Sequence, residues 1–474
     1  MAALVVLLGC GGLSALIAAR ILEPESLLWF SASVACVGVA LLTTGLAVYE
    51  RSRRSLATVL VSPFAIAAAT WLVLFVYRPL ELYVAPHHAA LSLAQFGFRL
   101  EDLTRTVALG GLGCSACCGG YLLALGRGRA VRPSRAAPRP IALSGLGASA
   151  VLAAGTVLWL LLFFRQGGFG ALVHSPASLR VDQRSSFWAF VGIWLVQGTT
   201  LCAFVATLRG RGRTARRVLI AGVALTLLAA LATEIRALPA LAAVAAAILY
   251  VGFRPLGRRQ VVVGAVLALG GVLALGVAQQ VRAYSVTVDL PEAIRLTANT
   301  PMSAMYVSDL STFDNFVAMQ GLVPASVSYL DGRSLAEIPQ ALVPRSAWPG
   351  KPAGLDVEVA SYLYPGVPVA VPISLQGELY WNAGLPLVAL GAFAVGAALG
   401  AIARFGLRAV PGSGLFLVYA VTVPFTHAFL TRGLATMLQN LVFALAGVGI
   451  AIWATRPRRW AALVGAARAP GVRT

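Results

Sequence analysis

Charged side chains are scarce in this chain. Only 11% of the 474 residues are charged and 59% are hydrophobic, which gives a mean hydropathy of +0.82. A soluble chain of this size carries about a quarter of its residues as charges. The shortage excludes a soluble globular protein and predicts an all-α, polytopic integral membrane protein.

Signatures of several common chemistries are also absent. No G-x-G-x-x-G follows a strand-like run, and there is no P-loop, no H-E-x-x-H and no nucleophile elbow. The sequence therefore gives no support to hydride transfer, ATP hydrolysis or zinc-dependent proteolysis. It also shows no internal repeat, which weighs against a transporter built from duplicated halves.

Cysteine is missing from every segment that we predict outside the membrane, so no disulfide is expected there. All six cysteines fall within predicted spans, and three of them stand in GCSACCGG as Cys114, Cys117 and Cys118. A metal site needs further ligands and access to water. We therefore interpret this stretch as small residues that let helices pack closely, and we expect no metal and no cofactor.

Apolar runs of about 20 residues, the length that crosses a bilayer, recur from end to end. We predict twelve spans at 2–22, 27–49, 55–77, 106–126, 141–164, 187–208, 218–233, 238–253, 260–280, 383–403, 414–430 and 437–455. The chain then divides into 1–280 with nine helices and two medium outer loops, a large outer loop at 281–382, and 383–474 with three helices and a basic tail.

Basic residues are distributed unevenly among the loops. If the N-terminus is cytoplasmic, the inner loops hold 23 of the 37 basic residues but only one of the 17 acids, Glu50. This asymmetry follows the positive-inside rule. Both termini are therefore expected in the cytoplasm and the large loop outside the cytoplasmic membrane. The net charge of +20 reflects topology, not binding to nucleic acid.

The outer segments keep a set of cations against this bias. They are Arg165, Arg180, Arg184, Arg236, Arg282, Arg345, Lys351 and Arg432. Several stand at span ends, where an arginine can merely extend to the lipid headgroups. As a group they favour a phosphate or pyrophosphate at the outer leaflet, since guanidinium groups bind phosphate oxygens bidentately. Arg236, in TEIRALP, either serves such a site or forms a tight turn with Glu234.

Candidates for acid–base chemistry are few. The large loop offers the carboxylates Asp309, Asp314, Asp356, Glu358 and Glu378, although most exposed loop acids only solvate a surface. His427 stands five residues before Arg432, in VPFTHAFLTRG. It is either a satisfied histidine of the core or a catalytic residue. The two side chains share no helix face unless the helix breaks at Gly433 or earlier.

Two stretches carry a resemblance to a known family. VPRSAWPGKP contributes Pro344, Arg345, Trp348, Pro349, Lys351 and Pro352, and GELYWNAG contributes Gly377, Glu378, Tyr380, Asn382 and Gly384. This pair resembles the signature of the O-antigen polymerase (Wzy-type), or oligosaccharide repeat-unit polymerase, family. Many spans with one large outer loop before the last few also fit. An R-x₁₀-G pattern found in some members is missing from the two larger outer loops.

The resemblance implies a GT-C-like helical fold and a metal-independent glycosyltransferase. Its substrates would be undecaprenyl-pyrophosphate oligosaccharides at the outer face of the cytoplasmic (inner) membrane, polymerised into a surface polysaccharide. A chain-length regulator is a further partner that this reading allows. Arginines would stabilise the leaving pyrophosphate, and Arg345 and Lys351 would be held by the stiff proline-rich segment.

Residue roles follow from the same reading. Glu378 is the predicted general base, with Arg345 and His427 as further catalytic candidates, and Trp348 and Tyr380 form walls for sugar rings. The alternative for Glu378 is a structural pairing that holds the loop down. Alternatives for the whole chain are an O-antigen ligase or another polyprenyl-phosphate-dependent GT-C enzyme. A transporter or flippase of lipid-linked sugars is the alternative outside enzymology.

Overall fold

Every secondary-structure element in the described residues is a helix. The computed structural model describes residues 2–455, with its longest gaps at 53–61, 127–140, 171–186, 271–289 and 300–310. Shorter gaps fall at 23, 89–90, 142, 166, 211, 234–236, 255–256, 258, 261, 265, 267–269, 344–347 and 368–369. The predicted all-α class is thus confirmed for the described part of the chain.

The α-helices are numbered in chain order. They are α1 Ala2–Ala18, α2 Leu27–Ser52, α3 Pro63–Leu72, α4 Arg78–Val84, α5 Leu91–Phe96, α6 Leu100–Leu125, α7 Gly145–Arg165, α8 Phe187–Leu208, α9 Arg213–Thr233, α10 Ala237–Phe253, α11 Leu290–Asn299, α12 Ser311–Leu322, α13 Arg333–Ala336, α14 Ile338–Ala341, α15 Leu355–Leu363, α16 Leu375–Arg408, α17 Gly414–Thr422, α18 Phe425–Thr431 and α19 Leu434–Ala454. A π-helical turn, Val73–Tyr77, joins α3 to α4, and a short 3₁₀ turn, Pro86–His88, follows α4.

Eight helical stretches in the described residues are long and apolar enough to cross a membrane. They are Leu27–Glu50, Pro63–Val84, Leu100–Leu125, Gly145–Arg165, Phe190–Leu208, Leu375–Arg408, Gly414–Thr431 and Leu434–Ala454, and Ala2–Ala18 and Pro239–Phe253 are shorter apolar helices. A polytopic membrane protein is therefore supported, whereas the count of twelve spans stays a prediction. The predicted span 260–280 lies mostly outside the described residues.

Two helices extend beyond the predicted spans, and for the same physical reason. The span predicted at 55–77 continues helically to Val84 through Arg78, and the span predicted from 383 begins at Leu375. In both places polar residues lower the hydropathy, so a sequence window ends the span. Arg78 and Glu378 are nevertheless 2% and 1% exposed, because protein partners satisfy them.

The chain forms two compact units, which are described separately. The first contains 1–132, 308–408 and 423–440, and the second contains 133–307, 409–422 and 441–474. This division cuts across the predicted one, because part of the large loop and part of the C-terminal segment belong to the first unit. The placement of that loop outside the membrane stays a prediction.

Close packing of α6 against α16 forms the centre of the first unit. Cys114, Cys117 and Cys118 are buried on α6. A Cβ added to Gly396 of α16 would overlap the backbone carbonyl of Cys117. Only glycine permits this approach of two backbones, as in membrane helices that pair through small residues. The interpretation of GCSACCGG as a packing surface is thus confirmed.

The helix α12 packs within this unit, although its sequence lies inside the predicted outer loop. Nine consecutive residues, 312–320, are buried. Its polar side chains have partners. Arg78 donates from Nε to Asp314 Oδ1 at 2.9 Å and from Nη2 to Oδ2 at 2.6 Å, while its Nη1 donates to Glu81 Oε2 at 2.9 Å. A buried ion triad therefore fastens α12 to the membrane helix that carries Arg78.

In the second unit, glycines again bring helices together. A Cβ on Gly155 of α7 would lie 2.8 Å from the carbonyl of Gly192 of α8, and one on Gly198 of α8 would lie 2.9 Å from that of Gly447 of α19. The helices α7, α8 and α9 share a small apolar core that includes Leu152 and Val218. These contacts are the close approaches that small residues allow between membrane helices.

Removal of the Arg78 guanidinium should destabilise the first unit strongly. Arg78→Met leaves two buried carboxylates without their cation, so we expect the free energy of unfolding to fall by about 3–5 kcal/mol. Thermal or urea unfolding of the purified protein in detergent measures the change. The matched control is Arg295→Met, which breaks an exposed pair with Glu292 and should leave the midpoint unchanged. Equal effects of the two substitutions would contradict the assignment of the triad as the anchor of α12.

Candidate active site at a broken membrane helix

The second motif of the predicted signature forms the first two turns of α16 and a break in that helix. Ser374 begins it, since the Ser374 Oγ accepts from Gly377 N at 3.2 Å and the Ser374 carbonyl accepts from Glu378 N at 2.9 Å. Helical geometry fails at Ala383 (φ −160°, ψ 31°) and Gly384 (φ 67°, ψ −153°), and the helix then resumes. The segment Leu375–Asn382 is therefore a half-helix, and Gly384 allows the break because a side chain is strained at that φ and ψ.

The carboxylate of Glu378 is buried at the middle of this half-helix. Ser334 Oγ donates to Glu378 Oε1 at 2.8 Å, and Leu434 N donates to Oε2 at 2.8 Å. Asn382 Nδ2 donates to Ser334 Oγ and to the Glu378 carbonyl, both at 2.7 Å. Because Asn382 uses the acceptor capacity of Ser334, the serine proton is directed at Glu378. The carboxylate is thus held in one orientation by two donors.

Glu378 lines a cavity of about 200 Å³, which we name the Glu378 cavity. Its other lining residues are Ser334, Glu337, Gln340, Ala341, Lys351, Pro352, Ala353, Gly354, Leu355, Gly433, Ala435, Thr436 and Gln439. A Cβ on Gly433 would lie 3.5 Å from Asp356 Oδ1 and 3.8 Å from Glu378 Oε2, so a side chain at this position would contact both carboxylates. Partial burial raises the pKa of the Glu337 carboxyl, against the opposing effect of Arg333.

Lys351 connects the first motif to this cavity. Its Nζ donates to the carbonyl oxygens of Ala341 at 3.1 Å and Val343 at 3.0 Å, while the residue itself lines the cavity. These two bonds join Lys351, near the end of the proline-rich segment, to backbone carbonyls at and just before the start of that segment. Trp348, within the segment, is 37% exposed.

The other predicted site residues that the structure describes are not lining residues of this cavity. Five of the arginines, Arg180, Arg184, Arg236, Arg282 and Arg345, lie outside the described residues. Arg165 is the exposed last residue of α7, in the second unit. Tyr380 is buried on the face of the half-helix away from Glu378, and its hydroxyl accepts from Arg105 Nη2 at 3.1 Å.

The helix that carries His427 ends before Gly433, as is required if His427 and Arg432 are to face the same site. The helix α18 ends at Thr431, and Arg432 is extended (φ −140°, ψ 169°), so the chain breaks before Gly433. His427 is exposed, and its Nδ1 lies 2.9 Å from Thr70 Oγ1. Arg432 is half-buried, and within the described part of the chain its guanidinium makes no hydrogen bond or ion pair. It immediately precedes Gly433, which lines the Glu378 cavity.

The remaining candidate carboxylates have other neighbours. Asp314 is paired with Arg78, Glu358 accepts a hydrogen bond from the exposed Arg333, and Asp309 lies outside the described residues. No group of three or more His, Cys, Asp or Glu side chains in the described ranges is placed to hold a metal ion. Among these acids, Glu378 alone is both buried and a lining residue of the cavity shared with Lys351.

Ser334 and the backbone N–H of Leu434 were missed by sequence reasoning. A serine in a polar loop and a backbone amide carry no pattern of their own. The usable signal was Gly433, which follows an arginine at the start of a span and permits a close approach. Arg105 was also missed, because it stands at the boundary of a predicted span.

Comparison of the chain with protein-family models, with curated proteins and with solved structures gave no match. The likeness of two short stretches to O-antigen polymerases therefore stands as a resemblance. What the protein does has to be argued from the geometry of the site.

Gly384 should be indispensable for the break. Gly384→Ala forces a side chain into a glycine-only region and places its Cβ 3.3 Å from Tyr329 Oη, so we expect a loss of roughly 1–3 kcal/mol. Thermal midpoints of purified protein measure it. Gly119→Ala is the matched control, because a Cβ there meets nothing within 4 Å inside a regular helix, and alanine is the better helix former. A Gly384→Ala protein as stable as the control would show that the break is dispensable.

Proposed function

We propose that this protein is a membrane glycosyltransferase that polymerises undecaprenyl-pyrophosphate-linked oligosaccharide units at the outer face of the cytoplasmic membrane. One observation carries the proposal. Lys351 and Glu378 come from the two motif stretches that resemble those of polymerases, and both line the same cavity. Residues that are distant in sequence and converge on one polar cavity are the usual sign of a functional site.

The chemistry requires a base, a leaving group and a nucleophile. A hydroxyl of the acceptor sugar gives its proton to a Glu378 oxygen, and the hydroxyl oxygen forms a bond to the anomeric carbon of the donor. The bond from that carbon to the pyrophosphate oxygen breaks, and the lipid pyrophosphate leaves with the bonding electrons. Glu378 suits the first role because Ser334 and Leu434 N hold its two oxygens in place.

The charge of the cavity supports placing the acceptor sugar there. Two carboxylates, those of Glu337 and Glu378, line it against one cation, Lys351, whose Nζ already donates to two backbone carbonyls, so a pyrophosphate would meet net like charge. Sugar hydroxyls instead can donate to carboxylates and exchange hydrogen bonds with Gln340, Thr436 and Gln439. We place the pyrophosphate outside the cavity, with Arg345 and Arg432, which directly precedes the lining residue Gly433, as its proposed ligands.

A second function is favoured by one specific feature. The interruption of α16 at Ala383 and Gly384 resembles the discontinuous helices at which transporters bind substrates. A transporter of lipid-linked sugars would move its cargo without forming a glycosidic bond. Any assay that counts bonds formed separates the two functions.

Glu378→Gln tests the proposed base. The change preserves shape and the hydrogen bond from Leu434 N but removes the proton acceptor, so turnover of lipid-linked units should fall by about 10²–10⁴-fold. Substrate binding and the thermal midpoint should change little. The assay is polymer formation by purified protein in nanodiscs supplied with lipid-linked repeat units.

Glu358→Gln is the control, since Glu358 is an acid of the same loop that pairs with Arg333 and does not line the cavity. It should keep normal turnover. If the Glu378→Gln protein forms polymer at more than about a tenth of the wild-type rate, Glu378 is not the base. Activity that falls only as far as the folded fraction falls assigns Glu378 a structural role.

A further inference from the structure

A second cavity opens on the side of the half-helix opposite the Glu378 cavity. It has a volume of about 440 Å³ and lies at the break in α16, so we name it the Gly384 cavity. Its walls include Arg105, Tyr329, Asp331, Tyr380 and Gly384. Glu378 and Tyr380 are two residues apart, which places them about 200° apart around a helix. The half-helix therefore presents Glu378 to one cavity and Tyr380 to the other.

The polar groups of the Gly384 cavity are fixed by the backbone and by neighbours. Arg105 donates from Nε to the Ala18 carbonyl at 3.1 Å and from Nη2 to Tyr380 Oη at 3.1 Å, so its guanidinium is held at the wall. Asp331 has a left-handed backbone (φ 50°), a conformation in which aspartate is one of the tolerated residues. Within the described ranges its exposed carboxylate makes no hydrogen bond or ion pair and is available to a ligand.

Aromatic surface completes the lining. The rings of Tyr329 and Tyr380 meet edge to face with centroids 6.3 Å apart, and each supplies apolar surface together with a hydroxyl. The segment that carries Tyr329 is bound to the half-helix, because Trp381 Nε1 donates to the Ser328 carbonyl at 3.1 Å and Leu330 N donates to the Trp381 carbonyl at 2.9 Å. The walls are thus preformed on both sides.

This lining selects against two ligand classes. A phosphate would be attracted by Arg105 and repelled by Asp331 in the same space, and an acyl chain would leave both charges without partners. A neutral polyol suits all groups at once. Its hydroxyls donate to the carboxylate and accept from the guanidinium and the Tyr329 phenol, and its C–H faces pack on aromatic rings.

We infer that the Gly384 cavity is a second carbohydrate-binding subsite, which holds a sugar of the lipid-linked chain remote from the bond being formed. The inference rests on the proposed function for the source of the sugar, since a polymerase has to hold two chains. The lining chemistry supports carbohydrate independently of that source.

Asp331→Gly tests the subsite without backbone strain, because glycine accepts the left-handed conformation. The probe is a panel of free hexoses, deoxyhexoses and N-acetylhexosamines, measured by saturation-transfer NMR on the full-length protein in nanodiscs. At least one sugar class should bind the wild type, and the Asp331→Gly variant should bind it about tenfold more weakly, as expected for a lost hydrogen bond to a charged group. Asp331→Asn, which keeps an acceptor and the backbone conformation, should fall between them.

Glu292→Gln, on an exposed helix of the second unit, is the control and should bind as the wild type does. Absence of sugar binding in the wild type, or binding that Asp331→Gly leaves unchanged, overturns the subsite. Binding of inorganic pyrophosphate that Arg105→Met abolishes also overturns it, in favour of an anion site. Sugar binding that depends on Asp331 in a protein that forms no polymer supports the subsite and removes the proposed function.

Discussion

The bidentate bond between Arg78 and Asp314 is the constraint on which the first unit depends. A buried charge is tolerated only with a partner, and here the partners are Asp314 and Glu81 on either side of the guanidinium. The bond joins α12 to the helix that carries Arg78. Once α12 is buried, Asn315 can donate to the Pro372 carbonyl at 3.1 Å, which directs the chain into α16. The position of the half-helix follows from this chain of contacts.

The half-helix Leu375–Asn382 places polar groups in the protein interior, where each needs a hydrogen-bond partner. Glu378 is satisfied by Ser334 and by Leu434 N, and Tyr380 by Arg105. The break at Gly384 ends the polar segment, and the apolar part of α16 then continues through the predicted membrane span. A short helix with different chemistry on its two faces can separate two cavities while it remains rigid. That arrangement suits a reaction in which two substrate chains are held at once.

Sequence patterns predicted the apolar helices well, because their signal is local. The span predicted at 106–126 and the helix Leu100–Leu125 overlap almost fully, and the small residues of GCSACCGG pack as expected. The patterns failed where a residue distant in sequence offsets the free-energy cost of burying a polar side chain. Nothing near Asp314 in sequence shows that Arg78 neutralises it, so the burial of α12 against other helices could not be predicted. Glu378 was predicted from its motif and stays a predicted base, whereas Ser334, which donates a hydrogen bond to it, could be found only from the fold.

We propose that the protein forms glycosidic bonds with loss of lipid pyrophosphate. The most direct measurement supplies the purified wild-type protein in nanodiscs with undecaprenyl-pyrophosphate oligosaccharides, in the presence of a metal chelator. New glycosidic bonds and released undecaprenyl pyrophosphate are then counted in the same sample. A glycosyltransferase of this kind should release one lipid pyrophosphate for each bond formed. Lipid-linked units that remain intact, whether or not they cross the bilayer, would contradict it.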